Sequence, residues 1–300
     1  MSQGHHVARS ALVGAVFVLL AGLSWSFTGA VLRLAPHLDS WQILFFRGLG
    51  VAVAFAVLAG PARLGYFPHD LVRLGGKGMI VLVALALSSI GFIVGLKLTT
   101  VANTLFLASC SPLLSAVFGY VFLRERLNLG QIAAVALGLL GLVLIICGGF
   151  EAGSVIGNLA AFCAALGFAV TSVIMRQAPN TDFAPSMIGY GLVSAAIAAA
   201  MAVAEGATLL PPADEAAAAF VGGFLVMGLG FTLFLRGAPL VPAVGQTVLA
   251  QTETVFGPIW VWLAFGEEPS RSTLVGGAVI LVAVIAMAFA SSRGGRVRTA

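Results

Sequence analysis

Arg33-Leu34-Ala35-Pro36 and Arg176-Gln177-Ala178-Pro179 share three of four residues and stand 143 positions apart. The same offset carries Leu23 onto Leu166, Thr28 onto Thr171, Gly14 onto Gly157 and Gly48-Leu49 onto Gly191-Leu192. Toward the ends of the two halves it becomes 142, where Glu125 meets Glu267 and Ser111 meets Glu253. A fixed period of this kind marks an internally duplicated chain. The join falls in the Gly-rich stretch from Gly148 to Gly157, so the sequence divides into residues 1–150 and 151–300.

Both halves are too apolar for a water-facing globule. Of the 300 residues, 60% are hydrophobic and 9% charged, and mean hydropathy is +1.08. A soluble domain carries about 25% charged residues. Ten apolar runs reach the roughly 20 residues that cross a bilayer core. They cover 11–32, 41–60, 77–97, 100–123, 129–148, 155–176, 184–204, 216–236, 241–265 and 272–291, numbered here as spans one to ten. Turn-forming or charged residues separate them, among them Ala35-Pro36, Gly60-Pro61, Arg124-Glu125-Arg126, Pro211-Pro212 and Glu267-Glu268-Pro269. The run Ala11 to Val31 is longer than the about 7–15 apolar residues of a signal-peptide core and belongs to the repeat, so it reads as a span of the mature protein.

Five spans per half is an odd number, so the second half crosses the membrane upside down relative to the first. The expected fold class is an all-α membrane protein with ten transmembrane helices in two inverted five-helix repeats. Inverted repeats build many secondary transporters, in which the halves exchange conformations to expose a site to either side in turn. Lys and Arg set the orientation. With the N-terminus inside, eleven of them fall on inner segments and three (Arg33, Lys97 and Arg271) on outer ones, leaving Arg47 within span two. Both termini are therefore expected in the cytoplasm, in a multi-pass protein of the inner membrane. A formal net charge of +4 is too small to suggest nucleic acid. Cys110, Cys147 and Cys163 lie in apolar runs and read as small hydrophobes. No metal-ligand or nucleotide-binding spacing is present, so neither metal nor cofactor is expected.

Polar side chains at membrane depth face a cavity or the bundle interior. In span nine Gln246, Ala250, Glu253 and Gly257 share one face, with Glu253 about 18 Å into the helix, near the midplane. Thr104, Ala108, Ser111 and Ser115 form the equivalent face of span four. Arg47, about 10 Å deep, is suited to a substrate carboxylate, to snorkelling or to a structural pair with Glu253. Thr28 and Thr171 are repeat mates within spans one and six. Trp25, Phe106, Tyr190 and Trp260 are aromatics within spans, suited to a flat-walled pocket or to packing. Pro112 and Pro258 fall inside spans four and nine and are the expected hinges. Glu125 and Glu267 are expected to begin spans five and ten, against the helix dipole.

Ser111-Pro112-Leu113-Leu114 through Phe122-Leu123-Arg124-Glu125-Arg126-Leu127, with Phe256-Gly257-Pro258 through Phe265-Gly266-Glu267, resembles the drug/metabolite transporter superfamily in its EamA branch. The resemblance covers essentially the whole chain and extends to the YddG-type exporters of aromatic and other neutral amino acids. The second half departs from the pattern, with Thr254 where the first has Pro112 and Pro258 further on. The resemblance implies a substrate cavity between spans one to four and six to nine, with spans five and ten peripheral. The function expected is export of a small organic metabolite, an amino acid first, by alternating access across the lipid bilayer. Protons are the coupling ion that the sequence leaves open, with Glu253 to carry them. A nucleotide-sugar or phosphorylated-solute antiporter and a broad drug-efflux transporter are the alternatives. An enzyme is not expected, since His5, His6, His37 and His69 all lie outside the spans and form no catalytic motif.

Overall fold

The computed structural model describes residues 2–60, 67–98, 104, 107–108, 110–147, 155–266 and 271–293. The described residues are helical, with no strand among them. Among the described residues, seven helical stretches have the length and apolarity to cross a bilayer: Ser10–Val31, Ser40–Ala59, Gly75–Gly95, Val155–Gln177, Ala184–Ala204, Ala213–Leu240 and Ala243–Phe265. Shorter apolar stretches at Ser111–Leu123, Leu129–Gly141 and Leu274–Met287 stand at spans four, five and ten. The last two lie within the longer helices Leu129–Cys147 and Arg271–Arg293. Phe106, Glu267 and the Gly148-Gly149 join lie outside the described residues.

The packing obeys the repeat. Span three lies against span six, and their repeat mates, spans eight and one, lie against each other. Spans two and seven meet, as do spans five and ten, each pair joining a helix to its own mate. Between spans two and seven the repeat-matched Gly48 and Gly191 touch backbone to backbone. A Cβ on Gly48 would stand 2.7 Å from the Gly191 carbonyl oxygen, and one on Gly191 2.5 Å from that of Gly48. Lipid tails are as apolar as leucine, so helices in a bilayer gain little from hydrophobic burial and associate through such close fits.

Each end of the bundle is tied by polar groups. At the start of span two Asp39 caps the helix, accepting from the Trp41 and Gln42 backbone N–H groups at 2.6 and 2.9 Å, and Gln42 Oε1 accepts from Asp39 N at 2.9 Å. The same Gln42 donates through Nε2 to the Thr208 carbonyl at 2.7 Å, and Trp41 Nε1 donates to Glu205 at 2.7 Å. Lys97 also donates to Glu205 and lies 5.2 Å from the Trp41 ring centroid. The Lys97 hydrogen bond first, and that from Trp41 second, hold the Glu205 carboxyl below its ordinary value.

At the opposite end Arg124 adopts a left-handed conformation (φ 54°) and turns the chain so that Glu125 reaches across the bundle. Glu125 Oε1 accepts from Arg176 Nε at 2.8 Å, and its Oε2 accepts from the Ala243 N–H at 3.3 Å. Arg176 Nη1 also donates to the Pro239 carbonyl at 2.6 Å. Glu125 therefore does not begin span five. That helix is capped by Asn128, whose Oδ1 accepts from Gln131 N at 2.9 Å while Gln131 Oε1 accepts from Asn128 N at 3.0 Å. Glu125 instead serves the first turn of span nine and joins the two halves. A charged hydrogen bond in a half-buried setting contributes about 1.5–3 kcal/mol. Arg176→Ala and Glu125→Ala are each expected to lower stability by about that much. In a thermal-unfolding double-mutant cycle in detergent, the two losses should fall well short of additive.

Candidate functional site

Three breaks in regular helix meet in the interior. Span one stops at Trp25 and resumes at Thr28, so Ser26 and Phe27 stand between two helical segments. Span eight contains a π-helical turn, Gly222–Met227. Span nine is two helices, Ala243–Ala250 and Thr252–Phe265, jointed at Gln251, whose N–H bonds back three residues to Val248 at 3.1 Å. Irregular backbone at membrane depth persists only where protein or a cavity surrounds it, and π turns recur at functional sites.

The interruption in span nine does not fall at its proline. Pro258 lies within the unbroken segment Thr252–Phe265, and the interruption comes at Gln251. In span four the segment Ser111–Leu123 starts with Pro112 in its first turn, after Cys110, so Pro112 stands at a helix start rather than inside one. By the offset of 142, Cys110 is the mate of Thr252 and Ser111 that of Glu253. The helix starts at Ser111 and Thr252 thus fall within one residue of the same repeat position. Glu253 lies in the first turn of its segment, where free N–H groups and the helix dipole favour negative charge.

The breaks are fastened to one another. Ser24 Oγ donates to the Val226 carbonyl in the π turn at 2.8 Å. Trp260 Nε1 donates to Ser26 Oγ at 2.8 Å, and its ring stacks on Phe27 at 4.8 Å. The Thr28 hydroxyl bonds to the Trp25 carbonyl at 2.6 Å across the gap. Trp25 itself is buried against Phe231 (5.2 Å), Phe234 (5.5 Å) and Phe168 (6.0 Å), and its indole N–H has no partner among the described residues. Tyr190 continues this aromatic wall, its ring edge-on to Phe231 at 5.6 Å.

Arg47 lines an apolar recess together with Thr28, Val31, Ile43, Ala219 and Met227. Its backbone is pressed on the π turn: a Cβ on Gly223 would stand 2.1 Å from the Arg47 carbonyl oxygen. Among the described residues the guanidinium makes one hydrogen bond, to Ser89 Oγ at 3.5 Å. Glu253 stands in span nine, two residues past the joint at Gln251. No direct ion pair joins the two, and no hydrogen bond to the Glu253 carboxyl is formed among the described residues. The spans thus hold a basic and an acidic side chain with no ion pair between them among the described residues.

Other expected site residues take different places. Gln246 is fully buried, and its amide nitrogen donates to the Ala238 and Val241 carbonyls at 2.6 and 3.0 Å, which holds the turn before span nine. Thr171 is fully buried with its hydroxyl unpartnered among the described residues. Ser111 is buried at the start of its segment, and Thr104 is buried against Gly95. Ser89, Phe168, Phe231, Phe234 and the π turn were not legible as site elements. Serine and phenylalanine are ordinary in apolar spans, and no residue pattern announces a π turn.

Helices interrupted at membrane depth within a two-repeat chain recur in multi-pass membrane transporters. Residues 12–147 and 155–289 both match the EamA-like transporter family, and the chain belongs to that family. It is 26% identical over 284 residues to the pseudopaline exporter CntI of Pseudomonas aeruginosa, covering 91% of this chain and 95% of the relative. It is 25% identical over 280 residues to an S-adenosylmethionine uptake transporter of Rickettsia conorii, covering 91% of each. A crystal structure 20% identical in sequence superposes with a TM-score of 0.77, covering 93% of this chain and 98% of the other, and so shares the fold. The protein is a small-molecule transporter.

Proposed function

We propose that the protein exports a zwitterionic amino acid or amino-acid derivative by alternating access, with Arg47 taking the carboxylate and Glu253 the ammonium group. The observation that carries this is an arginine and a glutamate within the membrane-spanning segments, with no ion pair between them among the described residues. A charge at membrane depth is expensive and persists where it serves a pathway or has a partner. A zwitterion supplies both missing partners at once, and Trp25, Tyr190 and Phe231 offer an apolar wall to its side chain. Ser111, Thr104, Thr171 and Thr28 supply neutral polar contacts around that centre. A phosphorylated solute fits less well, because its dianion would meet Glu253 with a single arginine to offset it.

Halves 1–150 and 151–300 are the moving bodies, with both termini in the cytoplasm of an inner-membrane protein. The joint at Gln251 and the helix start beside Pro112 are the hinges. The Arg176–Glu125–Ala243 ties then close the inner end in this conformation. Without a nucleotide motor, flow follows the solute gradient or a proton gradient acting through Glu253.

The test is flux of radiolabelled phenylalanine and threonine in proteoliposomes, with and without a pH gradient. Saturable, protein-dependent flux that unlabelled amino acid competes away supports the reading. Flux that ignores the pH gradient makes the protein a facilitator and leaves Glu253 a binding group. No flux of either amino acid from folded protein sinks the amino-acid substrate.

A further inference from the structure

Arg47 carries five N–H donors on a long, flexible stem, so a single fixed backbone position does not aim it. We infer that Ser89 and Tyr190 are positioning residues that aim the Arg47 guanidinium at the carboxylate of the substrate. The inference rests on the proposed role of Arg47. Its evidence is a polar chain across three spans. The Tyr190 hydroxyl and Ser89 Oγ lie 2.8 Å apart, and Ser89 Oγ accepts from Arg47 Nη2 at 3.5 Å. Either hydroxyl can donate in the first link, whereas the second has one direction only, since arginine cannot accept.

The far end of the chain is rigid. Tyr190 is 2% exposed and its ring is held edge-on by Phe231, which packs in turn on Trp25. The near end is loose. A 3.5 Å bond is weak, and it engages one of the five donors. A guanidinium steered by one long bond is oriented but not used up. Ser89 has no other hydrogen bond among the described residues, so its hydroxyl couples the tyrosine to the arginine. The aromatic wall that is proposed to face the substrate's side chain and the arginine proposed to hold its carboxylate are thereby one assembly.

The experiment is saturation kinetics of L-phenylalanine in proteoliposomes for wild type, Ser89→Ala, Ser89→Thr, Tyr190→Phe, Arg47→Ala and the double variant Ser89→Ala/Arg47→Ala. L-phenylalanine amide, which lacks the carboxylate, serves as competitor. Ser89→Ala and Tyr190→Phe should raise KM about 3- to 10-fold at near-normal Vmax, as one neutral hydrogen bond would. Competition by the amide should be unchanged. Ser89→Thr should restore KM, and Ser89→Ala should add nothing once Arg47 is already Ala. An equal KM increase from Ser89→Ala in the Arg47→Ala background overturns the positioning role and leaves the Arg47 reading intact. If Arg47→Ala itself leaves KM unchanged, the reading of Arg47 as the carboxylate site falls, and the inference with it.

Discussion

Arg47→Ala and Glu253→Gln are each expected to raise the KM for a carried amino acid by about 10- to 100-fold. That range is the kinetic equivalent of losing one charged hydrogen bond of about 1.5–3 kcal/mol. The same substitutions should leave thermal stability in detergent unchanged or slightly improved. Among the described residues Arg47 gives up a single 3.5 Å bond to Ser89, and Glu253 gives up no hydrogen bond at all. Removing a charge that has no ion-pair partner breaks no salt bridge. A structural salt bridge between the two predicts the reverse, with stability falling by several kcal/mol when either partner is removed. Proteoliposome kinetics and a thermal-unfolding scan on the same preparations separate the two accounts. High KM with intact stability identifies a binding pair, and lost stability identifies a brace.

The second large effect is on assembly. Gly48→Leu should yield no folded, monodisperse protein by size-exclusion chromatography, and Gly191→Leu should behave alike because the two contacts are reciprocal. The clash is with backbone: 2.7 Å from a Gly48 Cβ to the Gly191 oxygen, and 2.5 Å in the other direction. No side chain can swing away to relieve it, so spans two and seven must separate. Even Gly48→Ala should cost about 1–3 kcal/mol, the range for overpacking a close contact. Gly277→Ala is the control, since a Cβ there meets nothing within 4 Å, and it should be neutral. Normal behaviour of Gly48→Leu would contradict the packing of matched helices on the repeat axis.

The repeat is legible in sequence because duplication leaves both a period and a steric record. Gly48 and Gly191 align by offset alone and then prove to be the residues on which matched helices touch. Helix ends near charged or turn-forming residues are legible for the same reason, as at Gly60-Pro61 and Pro211-Pro212. The interruptions are not. Proline at position 258 suggests a break, yet a proline interior to a helix can be absorbed by a bend, and the joint instead falls at Gln251. What decides its place is packing against span one, where Gly22 leaves room against the Ala250 carbonyl, and that contact is tertiary. Glu125 misleads in the same way. A carboxylate just before an apolar run reads as a cap for that run, whereas a left-handed Arg124 turns it toward Arg176 and span nine. Arg47 and Glu253 stand out because charge is rare in these spans. Ser89, which touches Arg47, does not, because serine is common among them.

The most direct measurement of the central claim is competition against saturable amino-acid flux by two truncated analogues. Taking phenylalanine as the substrate, its amide lacks the carboxylate and 3-phenylpropionate lacks the ammonium group. If Arg47 and Glu253 grip opposite ends of one zwitterion, both analogues should compete at least about 10-fold more weakly than phenylalanine. Arg47→Ala should abolish the discrimination against the amide alone, and Glu253→Gln that against 3-phenylpropionate alone. Equal competition by all three compounds in the wild-type protein, or loss of both discriminations in either single variant, would contradict a site built on this pair of charges.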